Sequence, residues 1–226
     1  MARAFSFRCL LPLLAAGSFT AAAQTICPSA PQLHDATSAS IAAFVQRTGL
    51  KVLTFTGYSG AGYEDVQTMR EHASRILAAN SPGRVLVNIG ATAEGIGDVY
   101  ELAKRRGFTT IGIVSSLARH EQVPLSACVD HVFFVKDETW GGLSPGSSKL
   151  SPTSQAIVDN SSSLVGIGGG DVARDEMMAA QGRGKAVTFI PADMNHQTAR
   201  ARARKRNQPA PREFRGSAHA ALRTGN

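Results

Sequence analysis

A chain of 226 residues, 43% hydrophobic and 18% charged with 22 glycines, suits one well-buried globular domain and is too short for two ordinary ones. Its formal net charge of +7 sits at the ends: Arg3 and Arg8 lie in the first 23 residues, and seven arginines with Lys205 oppose only Glu213 after residue 196. The body between is slightly acidic, which excludes reading the overall basicity as the footprint of a nucleic-acid-binding fold.

Arg3 and Arg8 flank the start of an apolar run over residues 9–16, and Ala21, Ala22 and Ala23 precede Gln24. This is the layout of a secretory signal peptide, residues 1–23, with an A-x-A cleavage site. The run is too short to span a bilayer as a permanent helix. The expected location is periplasmic or secreted, with a cytoplasmic one as the alternative if the N-terminus is mis-assigned. Cleavage would leave Cys27 and Cys128, which an exported protein can pair, although sequence alone does not bring their Cα atoms within reach. Neither has a second cysteine or a histidine at ligand spacing, and His72, His120, His131 and His196 are scattered, so no metal and no cofactor is expected.

Residues 24–48 read as an N-terminal segment, and a domain follows over residues 49–196. Strand patterns at 51–56, 85–89, 109–114, 131–135, 164–167 and 186–191 alternate with helical ones, including 63–80 with Val66, Met69, Ala73, Ile76 and Leu77 on one side. Apolar strands separated by helices predict an α/β fold, a Rossmann-like three-layer sandwich with a mainly parallel sheet. In such sheets ligands bind beyond the carboxyl ends of the strands. Three strands end in glycine-rich loops, which open on one edge and can share a ligand: Gly57, Ser59, Gly60 and Gly62 after the first; Gly90 and Thr92 after the second; Gly168, Gly169 and Gly170 after the fifth. The last runs into a helix through Asp171, Arg174 and Glu176. Bare backbone at a helix N-terminus is a ready anion cradle, so phosphate is expected there, with Arg174 as its partner. Asp171 reads as the N-cap, and Glu176 as either a first-turn capping carboxylate or a ribose acceptor or general acid/base.

The element order, with Asn88, Ile89 and Gly90 at the second loop and Gly169, Gly170, Asp171, Val172, Ala173, Arg174, Asp175 and Glu176 at the last, resembles the SLOG superfamily over roughly residues 51–195. Its lysine decarboxylase-like members include phosphoribohydrolases that free cytokinins from nucleoside monophosphates. The resemblance implies a nucleotide or phosphate-bearing ligand and Glu176 as the catalytic residue. Their P-G-G-x-G-T-x-x-E motif is kept at Gly169, Gly170 and Glu176, but Val172 and Ala173 replace its second glycine and threonine. Residues 151–160 lack the arginine those enzymes place on the preceding helix. Ligand binding, with a sensing role among its forms, therefore survives the comparison better than N-glycosidic hydrolysis. The stretch from Asn88 to Glu94 with residues 103–114 is similar to sugar-isomerase phosphosugar-binding domains, though it lacks their phosphate-holding serines.

Trp140, in a polar loop beside Gly141 and Gly142, either stacks on a base or covers a core edge. The tail, residues 197–226, reads as basic and disordered, able to touch an anionic membrane but without interleaved aromatics for nucleic acid. The partners expected are thus a nucleotide or sugar-phosphate and, as the sequence allows, further copies of the chain.

Overall fold

The computed structural model describes residue 27 and residues 30–222; the expected signal peptide lies outside them. Seven strands form one all-parallel sheet: β1 Gln32–Ala36, β2 Lys51–Gly57, β3 Val85–Ile89, β4 Thr109–Ser115, β5 His131–Val135, β6 Ser163–Ile167 and β7 Ala186–Ile190. Their order is β1-β5-β4-β3-β2-β6-β7. The helices are α1 Ser38–Thr48, α2 Val66–Ala78, α3 Asp98–Arg105, α4 Leu117–His120, α5 Pro152–Asn160, α6 Asp171–Gly182, α7 His196–Lys205 and α8 Ser217–Leu222. The Rossmann-like α/β expectation therefore holds.

From β2 the chain steps outward to β3, β4 and β5, then crosses to the opposite flank for β6 and β7. The connections leaving β2 and β6 diverge to opposite faces, which opens a crevice at their carboxyl ends. Alternation along the strands decides what each face offers. Leu53 and Phe55 of β2, with Val85, Val87 and Ile89 of β3, pack with Met69, Ala73 and Leu77 of α2 and Val99, Tyr100 and Ala103 of α3. Val52, Leu86, Ile111 and Ile113 point the other way, onto Ile41 of α1 and Ala156 and Ile157 of α5. The period of two puts Thr54, Thr56, Asn88 and Ser115 on this second face, all at the carboxyl ends of their strands.

Two boundaries differ from the sequence expectation. The sheet begins at Gln32, inside what reads as a leading segment, because β1 pairs with β5 as an edge strand. An edge strand need not be apolar, and Gln32, His34 and Asp35 hid it. The tail is also folded in part. Asn195 caps α7 by accepting from the Thr198 N–H at 2.9 Å, and Ala199 and Ala203 are buried four residues apart while the arginines between them face outward. In α8, Ala218 is fully buried, clustered with Ala173 and Met177 of α6. Cys27 and Cys128 form a disulfide across 101 residues, with Cα atoms 4.8 Å apart, fastening the start of the described chain to the segment before β5.

One buried side chain pins the site edge. Tyr100 is fully buried, and its hydroxyl accepts from the Ala91 N–H at 3.1 Å while directing its proton toward the carbonyls of Ile89 at 2.7 Å and Ile111 at 2.9 Å. It thus ties the end of β3, the loop after it and β4 into one unit. Tyr100→Phe keeps the ring but orphans a buried N–H, so urea unfolding should show a loss of about 1–3 kcal/mol; an unchanged midpoint would mean the loop holds itself.

Candidate functional site

A cavity of about 430 Å³ opens at the carboxyl ends of β2, β3 and β4. Its floor is the polar set that strand alternation brought to one face, Thr54, Thr56, Asn88 and Ser115. One side is formed by Gly57, Ser59 and Gly60 and by the loop running from Gly90 through Thr92 to Glu94; the other by Thr153 and Ile157 of α5 and Val172, Ala173 and Glu176 of α6. Trp140 stands at the rim.

Most of the floor satisfies itself. Asn88 Nδ2 donates to Thr54 Oγ1 at 3.1 Å, Thr54 and Ser161 hydroxyls meet at 2.6 Å, and Ser161 donates to the Ile157 carbonyl at 2.6 Å. Asn88 Oδ1 accepts from the Ile113 N–H at 3.2 Å. Direction is imposed along this chain, because Ser161 has spent its proton on a carbonyl and Thr54 must therefore donate. The Thr153 hydroxyl is buried against the cavity beside the Asp137 carboxylate, without a hydrogen-bond partner of normal geometry.

Glu176 is the chemically distinctive group. It is 3% exposed, with Oε1 accepting from the Ser154 hydroxyl at 2.7 Å and Oε2 from the Thr56 hydroxyl at 3.3 Å. Burial raises its pKa from the ordinary 4.5 to about 7, outweighing the two hydroxyls that favour the carboxylate; the nearby Asp175 adds to the rise. It is the sixth residue of α6 and not part of the first turn, so its role is not capping. The stripe Ala173, Glu176, Met177 and Ala180 follows helical spacing toward the sheet, and a carboxylate at that position must be buried.

Of the residues expected at the site, Gly57, Ser59, Gly60, Gly90, Thr92 and Glu176 come together around the cavity. Gly62 borders an adjoining shallower depression that shares Ser59, Gly60 and Glu94 with it. Gly168, Gly169, Gly170, Asp171 and Arg174 do not line the cavity. The triple-glycine turn is instead covered by the chain's own C-terminal segment. Gly168 lies against the Tyr58 ring, the Gly169 carbonyl accepts from the Ala218 N–H at 3.3 Å, and Gly216 packs so closely on that carbonyl that no Cβ would fit. The Tyr58 hydroxyl accepts from the Gly216 N–H at 2.6 Å and donates to the Ala192 carbonyl at 3.2 Å, closing the cover. Gly170, not Asp171, is the N-cap, and Asp171 instead accepts from Ser217 at 2.7 Å. Arg174 is paired with Asp171 and Asp175, each at 2.8 Å, and is not directed at a ligand.

Thr56, Asn88, Ser154 and Thr153 were missed because they read as ordinary strand or helix residues. Their signal was available: Thr54, Thr56 and Asn88 interrupt apolar strands at alternate positions near the carboxyl ends. Among the described residues, no lysine or arginine lines the cavity, and its carboxylates are the buried Glu176 and the exposed Glu94.

No family model matches the chain, and no curated protein matches it. Among solved structures, the chain is similar to the structural-genomics target TM1055, with a TM-score of 0.44 and 22% identity over 61% of this chain and 72% of that one. It is also similar to the Moco carrier protein from Chlamydomonas reinhardtii, with a TM-score of 0.44 and 19% identity over 62% of this chain and 76% of that one.

The shifted carboxyl makes a signed prediction about stability. Between about pH 4.5 and 7 the folded chain holds a proton at Glu176 that the unfolded chain has released, so stability should fall as pH rises through this window and level off above it. The contribution is on the order of 3 kcal/mol. Asp175, Asp137 and Glu94 lie around the same pocket, so the readout is a difference: urea midpoints of Glu176→Gln should lose this slope relative to wild type, and parallel curves would contradict the assignment.

Proposed function

We propose that the chain binds a small organic molecule of nucleoside or nucleotide size in the cavity at the carboxyl ends of β2, β3 and β4. The observation that carries this reading is the preformed, largely apolar space of about 430 Å³ closing on a buried Glu176. Its size and lining match small-molecule sites, which are apolar with a few converging polar groups. The interior suits an uncharged body that offers N–H or O–H groups to Glu176. A phosphate on the ligand belongs at the mouth, since burying a dianion beside Glu176 without a cation would be costly. There it would meet backbone N–H groups of the loop after β3 and the Arg202 guanidinium, which lies 3.9 Å from where a Cβ on Gly60 would sit and shares that spot with the exposed Glu94 carboxylate at 3.2 Å. The resemblance in element order to the SLOG superfamily is in keeping with a ligand at this edge.

A second reading is supported by the pKa of Glu176. A carboxyl poised at about 7 suits a general acid or base near neutral pH, the requirement for cleaving an N-glycosidic bond. Against it, no arginine among the described residues lines the interior to work with the carboxyl. We also propose export: the Cys27–Cys128 disulfide fits an oxidising compartment, and the signal-like N-terminus supplies the route.

Calorimetry with nucleosides and nucleoside monophosphates should show binding that Glu176→Gln weakens by at least about tenfold, with circular dichroism confirming the variant's fold. No binding at millimolar ligand, and no small molecule copurifying with the native protein in mass spectrometry, would remove the binding reading. Release of free base on incubation, abolished in Glu176→Gln, would select the enzyme. For export, protein recovered from the periplasm or medium of an expressing bacterium should begin at Gln24; a retained Met1 would point to the cytoplasm.

A further inference from the structure

The chain's single tryptophan is 47% exposed while lining the cavity. Leaving an indole half in water forgoes apolar burial that folding would otherwise use. The loop that holds it there is firmly built. At its base Asp137 accepts from the N–H groups of Thr139 and Thr153, each at 2.8 Å, and these bonds keep its carboxyl below the usual range despite partial burial. Past Trp140, the Gly142 N–H donates to Ser154 Oγ at 2.7 Å, and the Ser154 hydroxyl donates to Glu176 at 2.7 Å.

Gly141 completes the connection. Its φ is +113°, and a Cβ on it would lie 2.9 Å from Ser154 Oγ and 3.9 Å from Glu176 Oε1. The bare backbone beside Trp140 is therefore laid against the buried carboxyl, which anchors the loop that carries the indole next to Glu176. Ile157, Val172 and Ala173 supply apolar surface on the same side of the cavity.

We propose that Trp140 is a ligand-binding residue whose indole face stacks on a planar ring, while Glu176 takes hydrogen bonds from that ring's polar edge. The ligand class is then an N–H-bearing aromatic heterocycle, free or as a nucleoside, and not a bare sugar phosphate. This rests on the cavity being a small-molecule site and adds what that site selects. Selection works by shape and hydrogen bonding: Ser154 orients Glu176 and also fixes the loop of Trp140, so one hydroxyl positions both recognition elements.

Because Trp140 is the only tryptophan beside three tyrosines, fluorescence excited selectively at the indole reports on it alone. The test uses the full chain with its disulfide formed and three probes: adenosine, adenosine 5′-monophosphate and ribose 5-phosphate. The two ring-bearing probes should quench the emission with midpoints matching calorimetry, and ribose 5-phosphate should not. Trp140→Ala should weaken adenosine about tenfold or more, and Trp140→Phe should restore it to within a few-fold, since any aromatic face supports stacking. Adenosine binding that is calorimetrically unchanged in Trp140→Ala, or that leaves the emission untouched, overturns the stacking role while the cavity remains a binding site. Ribose 5-phosphate binding as tightly as the nucleotide overturns the ring requirement. No calorimetric binding of any probe overturns this inference, and together with no copurifying small molecule it overturns the small-molecule site as well.

Discussion

The reversal of strand order at β2 is the constraint on which the rest of the molecule depends. With β3 on one flank and β6 on the other, the loops leaving β2 and β6 must turn to opposite faces. Nothing fills the angle between them unless a side chain or a ligand does. Thr56 of β2 meets Glu176 at this divergence, Asn88 and Ser115 extend the floor along the ends of β3 and β4, and α6 enters over it because its strand is the one that crossed. Were β6 to lie beyond β5, Glu176 and Thr56 could not share a hydrogen bond.

Placing polar groups at the floor of that space has a cost that the surrounding residues offset unevenly. Asn88, Thr54 and Ser161 form a closed chain of donors and acceptors, so their burial is largely compensated. Glu176 is not compensated in the same way: two hydroxyls stand where an arginine or lysine would be needed to hold it ionised. A carboxyl kept near the balance between its two states can accept or donate, whichever the ligand requires. A residue selected for stability alone would be apolar at this position, as Ala173, Met177 and Ala180 on the same stripe are.

The sheet was legible because its inner strands are buried on both faces and so read as uninterrupted apolar runs. The edge strand β1 was not: a strand needing only one covered face can carry Gln32, His34 and Asp35, and nothing local separates that from a loop. The site divides in the same manner. Glycine-rich loops after β2 and β3 mark the cavity correctly, since those turns need the backbone freedom that glycine gives. The third loop misled, because a glycine run states only that something must approach closely. Sequence does not say whether the approaching group is a phosphate or the chain's own Gly216 and Ala218.

That substitution of polypeptide for ligand has consequences for charge. A helix N-terminus usually draws an anion to its free N–H groups, and at α6 the acidic partner is already present as Asp171, which is itself neutralised by Arg174. The positive potential that would have favoured phosphate is thus spent within the protein, and Val172 and Ala173 present apolar surface to the cavity. A cation near the opening, Arg202 beside Gly60, comes from α7, in the region that reads from sequence as tail. On the reading proposed above, recognition by the interior would proceed through shape, apolar contact and hydrogen bonds to Glu176, with any anionic end of a ligand held outside the walls that define it.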